Sequence, residues 1–297
     1  MTTTTRFTQL LATNDVLVAD GGMGTLLFER GLEVGGCPEL LNVERPDIVA
    51  GIHKDYVESG ADIILTNTFG GTRARLTHYD LDSRVTELNA AGADLARSVS
   101  DGAGRSVAVA GSMGPTGELF VPLGPLDSDR ALELFAEQAS ALADSGVDIL
   151  WIETMSSLDE LDAAFTAASV FDLPVVTTMS FDTHGKTMMG VAPGDLASWA
   201  ESKDRPPIAV GANCGIGPED VVAAVQAIVA SDSDAVPIAK ANCGLPVFVE
   251  GELDYPLRPQ EMRSYAESAA QSGARIIGAC CGSTPRHISA IRSFVTA

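Results

Sequence analysis

Basic residues are scarce in this sequence: 19 Lys and Arg stand against 40 Asp and Glu, for a formal net charge of −21. A chain this acidic offers no basic surface to nucleic acid or to an anionic membrane, and neither is expected as a partner. Cysteine is sparse as well, with five in 297 residues. That is too few for a disulfide scaffold, so a reducing cytoplasm is the expected compartment. There, clustered cysteines more often serve a metal or catalysis than a disulfide. The opening stretch from Met1 to Asn14 is polar and Thr-rich, without the basic start and apolar run of a secretory signal. Residues 1–12 are expected to be flexible. No apolar run approaches the roughly 18 residues of a membrane span. Several common motifs are missing too. There is no His-Glu-x-x-His and no Gly-x-Ser-x-Gly, Gly22-Met23-Gly24 lacks the third glycine of a dinucleotide fingerprint, and Gly185-Lys186-Thr187 has Ser180 where a phosphate loop needs glycine.

What is present is a globular composition, 45% hydrophobic and 20% charged, well able to bury a core. Two textures alternate along it. Short apolar runs, read as buried parallel strands, fall at residues 16–20, 62–67, 107–111, 148–153, 174–181, 208–213, 236–242 and 275–279. A stretch with helical spacing follows each. After Asp129, for example, Leu132, Phe135, Ala139 and Leu142 mark one apolar face. Three of these stretches end on Gly60, Gly146 or Gly273, the residue type that closes a helix in the left-handed conformation. Thr284-Pro285 reads as a helix cap followed by Pro at the first helical position. Eight strand–helix units without a linker point to a single-domain (β/α)8 TIM barrel over residues 1–297, with a doubly wound open sheet as the alternative. The extra length is expected at 31–46 and 114–127, which are rich in Gly and Pro.

In such a barrel, chemistry collects at the C-terminal strand ends. Those positions carry Asp20, Ser112, Glu153, Cys214, Cys243 and the adjacent pair Cys280-Cys281. Cysteines from the sixth and eighth strands belong to alternate strands and can share one layer. Three thiolates on zinc leave a fourth tetrahedral position open, the mark of a catalytic site. Buried cysteine acting as a small hydrophobe is the alternative. Cys243 could replace one ligand, and Cys37, in the first long loop, is expected to be a bystander. Asp20 and Glu153 could exchange protons, hold a substrate ammonium or cap loop amides. Asp20-Gly21-Gly22 would bring bare amides close to a carboxylate. Two rival readings compete. Lys240 near the end of the seventh strand could form a Schiff base in a phosphosugar aldolase, or Cys243 could close a four-ligand structural zinc site.

The residues that carry a resemblance are Asp20-Gly21-Gly22-Met23-Gly24-Thr25, Gly60-Ala61-Asp62-Ile63-Ile64-Leu65-Thr66-Asn67-Thr68-Phe69, Gly114-Pro115-Thr116-Gly117, Ile152-Glu153-Thr154, Gly211-Ala212-Asn213-Cys214 and Gly278-Ala279-Cys280-Cys281-Gly282. Together they resemble the homocysteine S-methyltransferases, a family of zinc (β/α)8 barrels that includes the betaine enzymes and the first barrel of cobalamin-dependent methionine synthases. The resemblance implies that Cys214, Cys280 and Cys281 bind zinc, and that Asp20 and Glu153 hold the homocysteine ammonium. It further implies that the amides of Gly21 and Gly22 and the Thr68 hydroxyl contact the carboxylate. The implied reaction gives methionine from homocysteine and a small onium donor such as betaine. The alternative is a free-standing homocysteine-activating subunit that takes its methyl from a separate methylcorrinoid protein. The chain departs from the betaine enzymes at Thr154, where they carry Tyr, and in residues 31–46, which hold no aromatic. Phe69, Phe120, Phe181, Phe248 and Tyr255 are the rings available for an onium cage.

Overall fold

The computed structural model describes residues 4–231, 233–249 and 252–296. Its strands are β1 (Leu17–Val18), β2 (Ile63–Leu65), β3 (Ala108–Met113), β4 (Ile149–Met155), β5 (Val175–Met179), β6 (Ala209–Cys214), β7 (Val236–Ala241), β8 (Val247–Val249), β9 (Glu252–Asp254) and β10 (Ile276–Ala279). Eight of them form one sheet in the order β1-β10-β7-β6-β5-β4-β3-β2, with parallel neighbours throughout. A parallel bridge between Ala19 and Ile63 joins the two ends, with Asp20 N donating to Ile63 O at 3.0 Å. The result is the (β/α)8 barrel expected from the alternation of textures, and each expected strand is present. The antiparallel pair β8–β9, inserted after β7, has no counterpart among the expected elements.

Period-2 alternation along each strand sorts the side chains into two cores. Leu17, Ile63, Ile149, Trp151, Val176, Ile238 and Ile276 point into the barrel. Val18, Ile64, Val109, Leu150, Val210 and Ile277 point outward and meet the helices. Helix Ser128–Asp144 lays the expected face inward, with Phe135, Ala139 and Leu142 buried. Gly60, Gly146 and Gly273 all adopt positive φ, at 99°, 75° and 97°.

Residues 6–12 of the stretch expected to be flexible belong to a helix, Arg6–Thr13. Thr5 caps it by accepting a hydrogen bond from Thr8 N. Phe7 and Leu11 are buried in the cluster that fills the barrel interior. The helix therefore plugs the N-terminal end of the barrel, opposite the strand ends where the polar residues gather.

Candidate active site and metal centre

The inward parity that fills the barrel continues past its apolar layers and sets the site. Glu153 follows Ile149 and Trp151 on β4, Lys240 follows Ile238 on β7, and Cys280 lies four residues beyond Ile276. These side chains reach a cavity of about 240 Å³ that is also lined by Asp20, Gly21, Gly22, Glu39, Phe69, Ser112, Thr154, Cys214 and Cys281.

Three thiols meet in this cavity. The sulfurs of Cys214, Cys280 and Cys281 all lie within 4.8 Å of one another, and Cys214 Sγ is 3.0 Å from Cys280 Sγ. Hydrogen bonds from Cys214 and Cys280 push the Cys281 thiol down to about 4. Bonds to Cys280 and Cys281 hold Cys214 well above its ordinary value. Three soft sulfur donors on one wall of an open cavity fit a thiophilic metal ion with a coordination position left for a ligand. Cys243 is fully buried in the apolar layer between strands and helices and is not part of this group. Cys37 lies outside the group as well, with its sulfur donating to Glu39 Oε2 at 3.3 Å.

Two asparagines fasten the turns that carry the sulfurs. Asn242 Nδ2 donates to Gly215 O at 2.8 Å, and its Oδ1 accepts from Cys281 N at 2.9 Å. One side chain thus ties the Cys214 turn to the Cys281 turn. Asn213 Oδ1 accepts from Thr154 N at 2.9 Å, and its Nδ2 donates to Thr154 Oγ1 at 2.6 Å. Thr154 and Cys214 both sit in the left-handed region, at φ 63° and 58°. A non-glycine residue held there costs on the order of 1–3 kcal/mol, a strain concentrated at functional sites. The turn after β10 is anchored to the turn after β1. Gly22 N donates to Ser283 Oγ at 2.8 Å, Ser283 Oγ donates to Cys280 O at 2.7 Å, and Gly282 N donates to Thr25 Oγ1 at 2.9 Å. This approach requires glycine at position 22, where a Cβ would lie 2.7 Å from Cys280 O.

The acids behave differently from one another. Glu153 is 7% exposed and accepts from Ser112 Oγ through Oε1. Burial, with Cys280 and Asp20 nearby, pushes its carboxyl up to about 7. Asp20 has no basic neighbour in sequence, but the fold supplies one 220 residues away: Lys240 Nζ donates to Asp20 Oδ1 at 2.9 Å. Asp20 Oδ2 accepts from Leu65 N at 2.7 Å. Burial opposes the Lys240 charge, but Asp20, Glu153 and Cys280 outweigh it and raise its pKa. The ion pair with Asp20 favours the ammonium form over the free amine that a Schiff base requires.

The expected carboxylate contacts are only partly available. Thr68 is fully buried and does not line the cavity; its Oγ1 donates to Ser112 O at 2.8 Å. Of the two glycine amides, that of Gly22 is taken by Ser283, while that of Gly21, a residue lining the cavity, has no protein partner among the described residues. Glu39 is a third buried acid on the wall that sequence reasoning passed over. Its Oε1 accepts from Gly70 N at 2.6 Å, which fixes the loop after β1 against the loop after β2. Of the five rings considered for an onium cage, Phe69 alone lines the cavity. Phe181 is buried elsewhere and Phe248 is largely exposed.

A family model described as homocysteine S-methyltransferase matches residues 17–295. Methionine synthase from Mycobacterium tuberculosis (strain ATCC 25618 / H37Rv) is 34% identical over 302 residues, covering 94% of this chain and 24% of that protein. Methionine synthase from Mycobacterium leprae (strain TN) is 33% identical over 299 residues with the same coverage. The chain thus spans about a quarter of the length of these relatives. Among solved structures, the metallated form of the homocysteine methyltransferase MmuM from Escherichia coli superposes with a TM-score of 0.81. It is 24% identical over 97% of this chain and 99% of that one, a likeness of fold.

Proposed function

The chain belongs to the homocysteine S-methyltransferase family, and on that premise we propose that it methylates the thiol of homocysteine to give methionine in a zinc-dependent reaction. The observation that carries this reading is the convergence of three thiols with a buried, substrate-accessible acid in one cavity. A free alkyl thiol has a pKa near 8.5, so little thiolate exists at neutral pH. A zinc ion held by Cys214, Cys280 and Cys281 would supply the acidity that keeps the incoming thiol deprotonated.

The chain's own groups position the reactants. Ionised Glu153 takes the substrate ammonium, with Ser112 fixing the carboxylate from behind. The Gly21 amide faces the substrate carboxylate. Asn242 and Asn213 hold the thiol-bearing turns so that the sulfurs converge before the substrate arrives. The methyl group then passes in line to the substrate sulfur: an S–C bond forms, the bond from methyl to its leaving atom breaks, and that bond's electron pair leaves with the donor.

The first donor reading is a small onium compound such as betaine. Phe69 and Glu39 both line the cavity, an aromatic ring and an acid of the kinds that suit a cation. A second reading, transfer from a methylcorrinoid carried by a separate protein, draws on the rim. Leu119, Val121 and Leu123 after β3, Met188 after β5 and Phe248 in β8 are exposed on segments leaving the C-terminal strand ends. Apolar side chains there suit a docking protein. The relatives named methionine synthase also carry about three-quarters of their length outside this region.

Zinc-loaded protein assayed with homocysteine against betaine, a sulfonium betaine, S-methylmethionine and a methylcorrinoid tests both readings. Methionine from an onium donor supports the first and methionine from the methylcorrinoid alone supports the second. No methionine from any donor overturns the proposed reaction.

A further inference from the structure

We propose that Lys240 is the carboxylate anchor of the acceptor amino acid and that Asp20 positions Lys240 rather than binding substrate; this deepens the homocysteine reading and rests on it. Lys240 is 2% exposed, occupies an inward position on β7 and lines the cavity. Its ammonium has three N–H donors. One goes to Asp20 Oδ1, and the other two have no acceptor among the described residues. The Trp151 ring lies 5.5 Å from Nζ and covers one approach without accepting a conventional hydrogen bond. A buried cation with spare donors beside a cavity calls for an anionic ligand, because unmet donors in a desolvated site are costly.

The neighbouring groups agree. Of the carboxylate contacts expected from sequence, the Gly22 amide and the Thr68 hydroxyl are already engaged within the protein. Asp20 accepts one bond on each oxygen, from Leu65 N and Lys240 Nζ, so a substrate ammonium placed against it would sit beside the Lys240 charge. The Glu153 hydrogen bond from Ser112 uses Oε1 and leaves Oε2 for one. A zwitterion entering this cavity is therefore read by groups of both signs, its amine at Glu153 and its carboxylate at Lys240 and Gly21. Such a site distinguishes a thiol amino acid from a simple thiol by charge geometry.

The test is calorimetric titration of the zinc-loaded protein with homocysteine, with 3-aminopropane-1-thiol, which lacks the carboxylate, and with 4-sulfanylbutanoate, which lacks the amine. Lys240→Met should weaken homocysteine and 4-sulfanylbutanoate by roughly 10- to 100-fold, the loss of one charged hydrogen bond, and leave 3-aminopropane-1-thiol within about twofold. Lys240→Met strands Asp20 without its counter-ion, so the paired variant Asp20→Asn/Lys240→Met, which removes both charges, is measured beside it with the same expected pattern. Equal losses for all three ligands, or unchanged homocysteine affinity in the folded paired variant, would overturn the assignment to Lys240 alone. A wild-type protein that binds none of the three thiols would instead remove the homocysteine reading itself.

Discussion

Glu153 should act on stability and on binding in opposite directions, and Glu153→Gln separates the two. In the folded chain burial lifts this carboxyl from 4.5 to about 7. An unfolded chain releases the proton near 4.5, so between those values the folded state holds more protons than the unfolded state. Stability then falls as pH rises through that window and reaches its full deficit above 7. The displacement corresponds to about 3 kcal/mol. Glutamine keeps the shape and can still accept from Ser112 Oγ, but cannot ionise. Glu153→Gln should therefore match wild type at pH 4.5 and exceed it by about 3 kcal/mol at pH 8. Chemical denaturation of metal-free, reduced protein at the two pH values measures this difference. The same substitution removes the partner proposed for the substrate ammonium, so homocysteine affinity of the metal-loaded protein should drop by roughly 10- to 100-fold at pH 8. In wild type, affinity should also fall about fivefold from pH 7 to pH 6 through this one group, because a carboxyl titrating at about 7 is half ionised at pH 7 and about one-tenth ionised at pH 6, and Glu153→Gln should subtract that much from the pH slope. A variant less stable than wild type at pH 8, or one that binds homocysteine normally, would refute the reasoning.

Three further outcomes follow from the geometry. Cys214→Ser or Cys280→Ser should lose most bound zinc, measured by elemental analysis after dialysis, whereas Cys37→Ser and Cys243→Ser should keep it; zinc loss in Cys243→Ser would redraw the ligand set. Asn242→Ala, which cuts both bonds joining the sulfur-bearing turns, should lower zinc affinity by about 10- to 100-fold in a competition assay with a chromophoric chelator. Phe7→Ala should destabilise the barrel by about 3–5 kcal/mol in denaturant titration, since the side chain is fully buried against the interior cluster.

The strands and their order were legible because alternating apolar runs and helical stretches leave few topologies. The thiol cluster was legible because strand ends of alternate strands meet at one mouth. The parity of each strand was harder to read. Parallel strands buried on both faces show no polar alternation, and Thr68 lies three residues beyond the end of β2, where alternation no longer assigns a face; its hydroxyl turns to Ser112 O and not to the cavity. Lys240 stood in the sequence as a lone cation in an apolar strand. Its partner, Asp20, is 220 residues distant, a pairing that only barrel closure creates. Glu39 sits in a loop whose path depends on Gly70 and Asn67, and no periodicity announces it. The helix Arg6–Thr13 is short and Thr-capped, with Phe7 and Leu11 as its only buried residues, a signal too brief for spacing to reveal.

The fastening of the β10 turn onto the β1 turn has a consequence for biosynthesis. Gly22 and Ser283 are 261 residues apart, and Cys280-Cys281 joins Cys214 only when that seam is sealed. A nascent chain that has emerged through β7 owns one of the three sulfurs and no binding site. A metal ion held by these three sulfurs could therefore be captured only after β10 has joined the barrel, and zinc uptake timed against translation or refolding would serve as a clock for the moment the ring shuts.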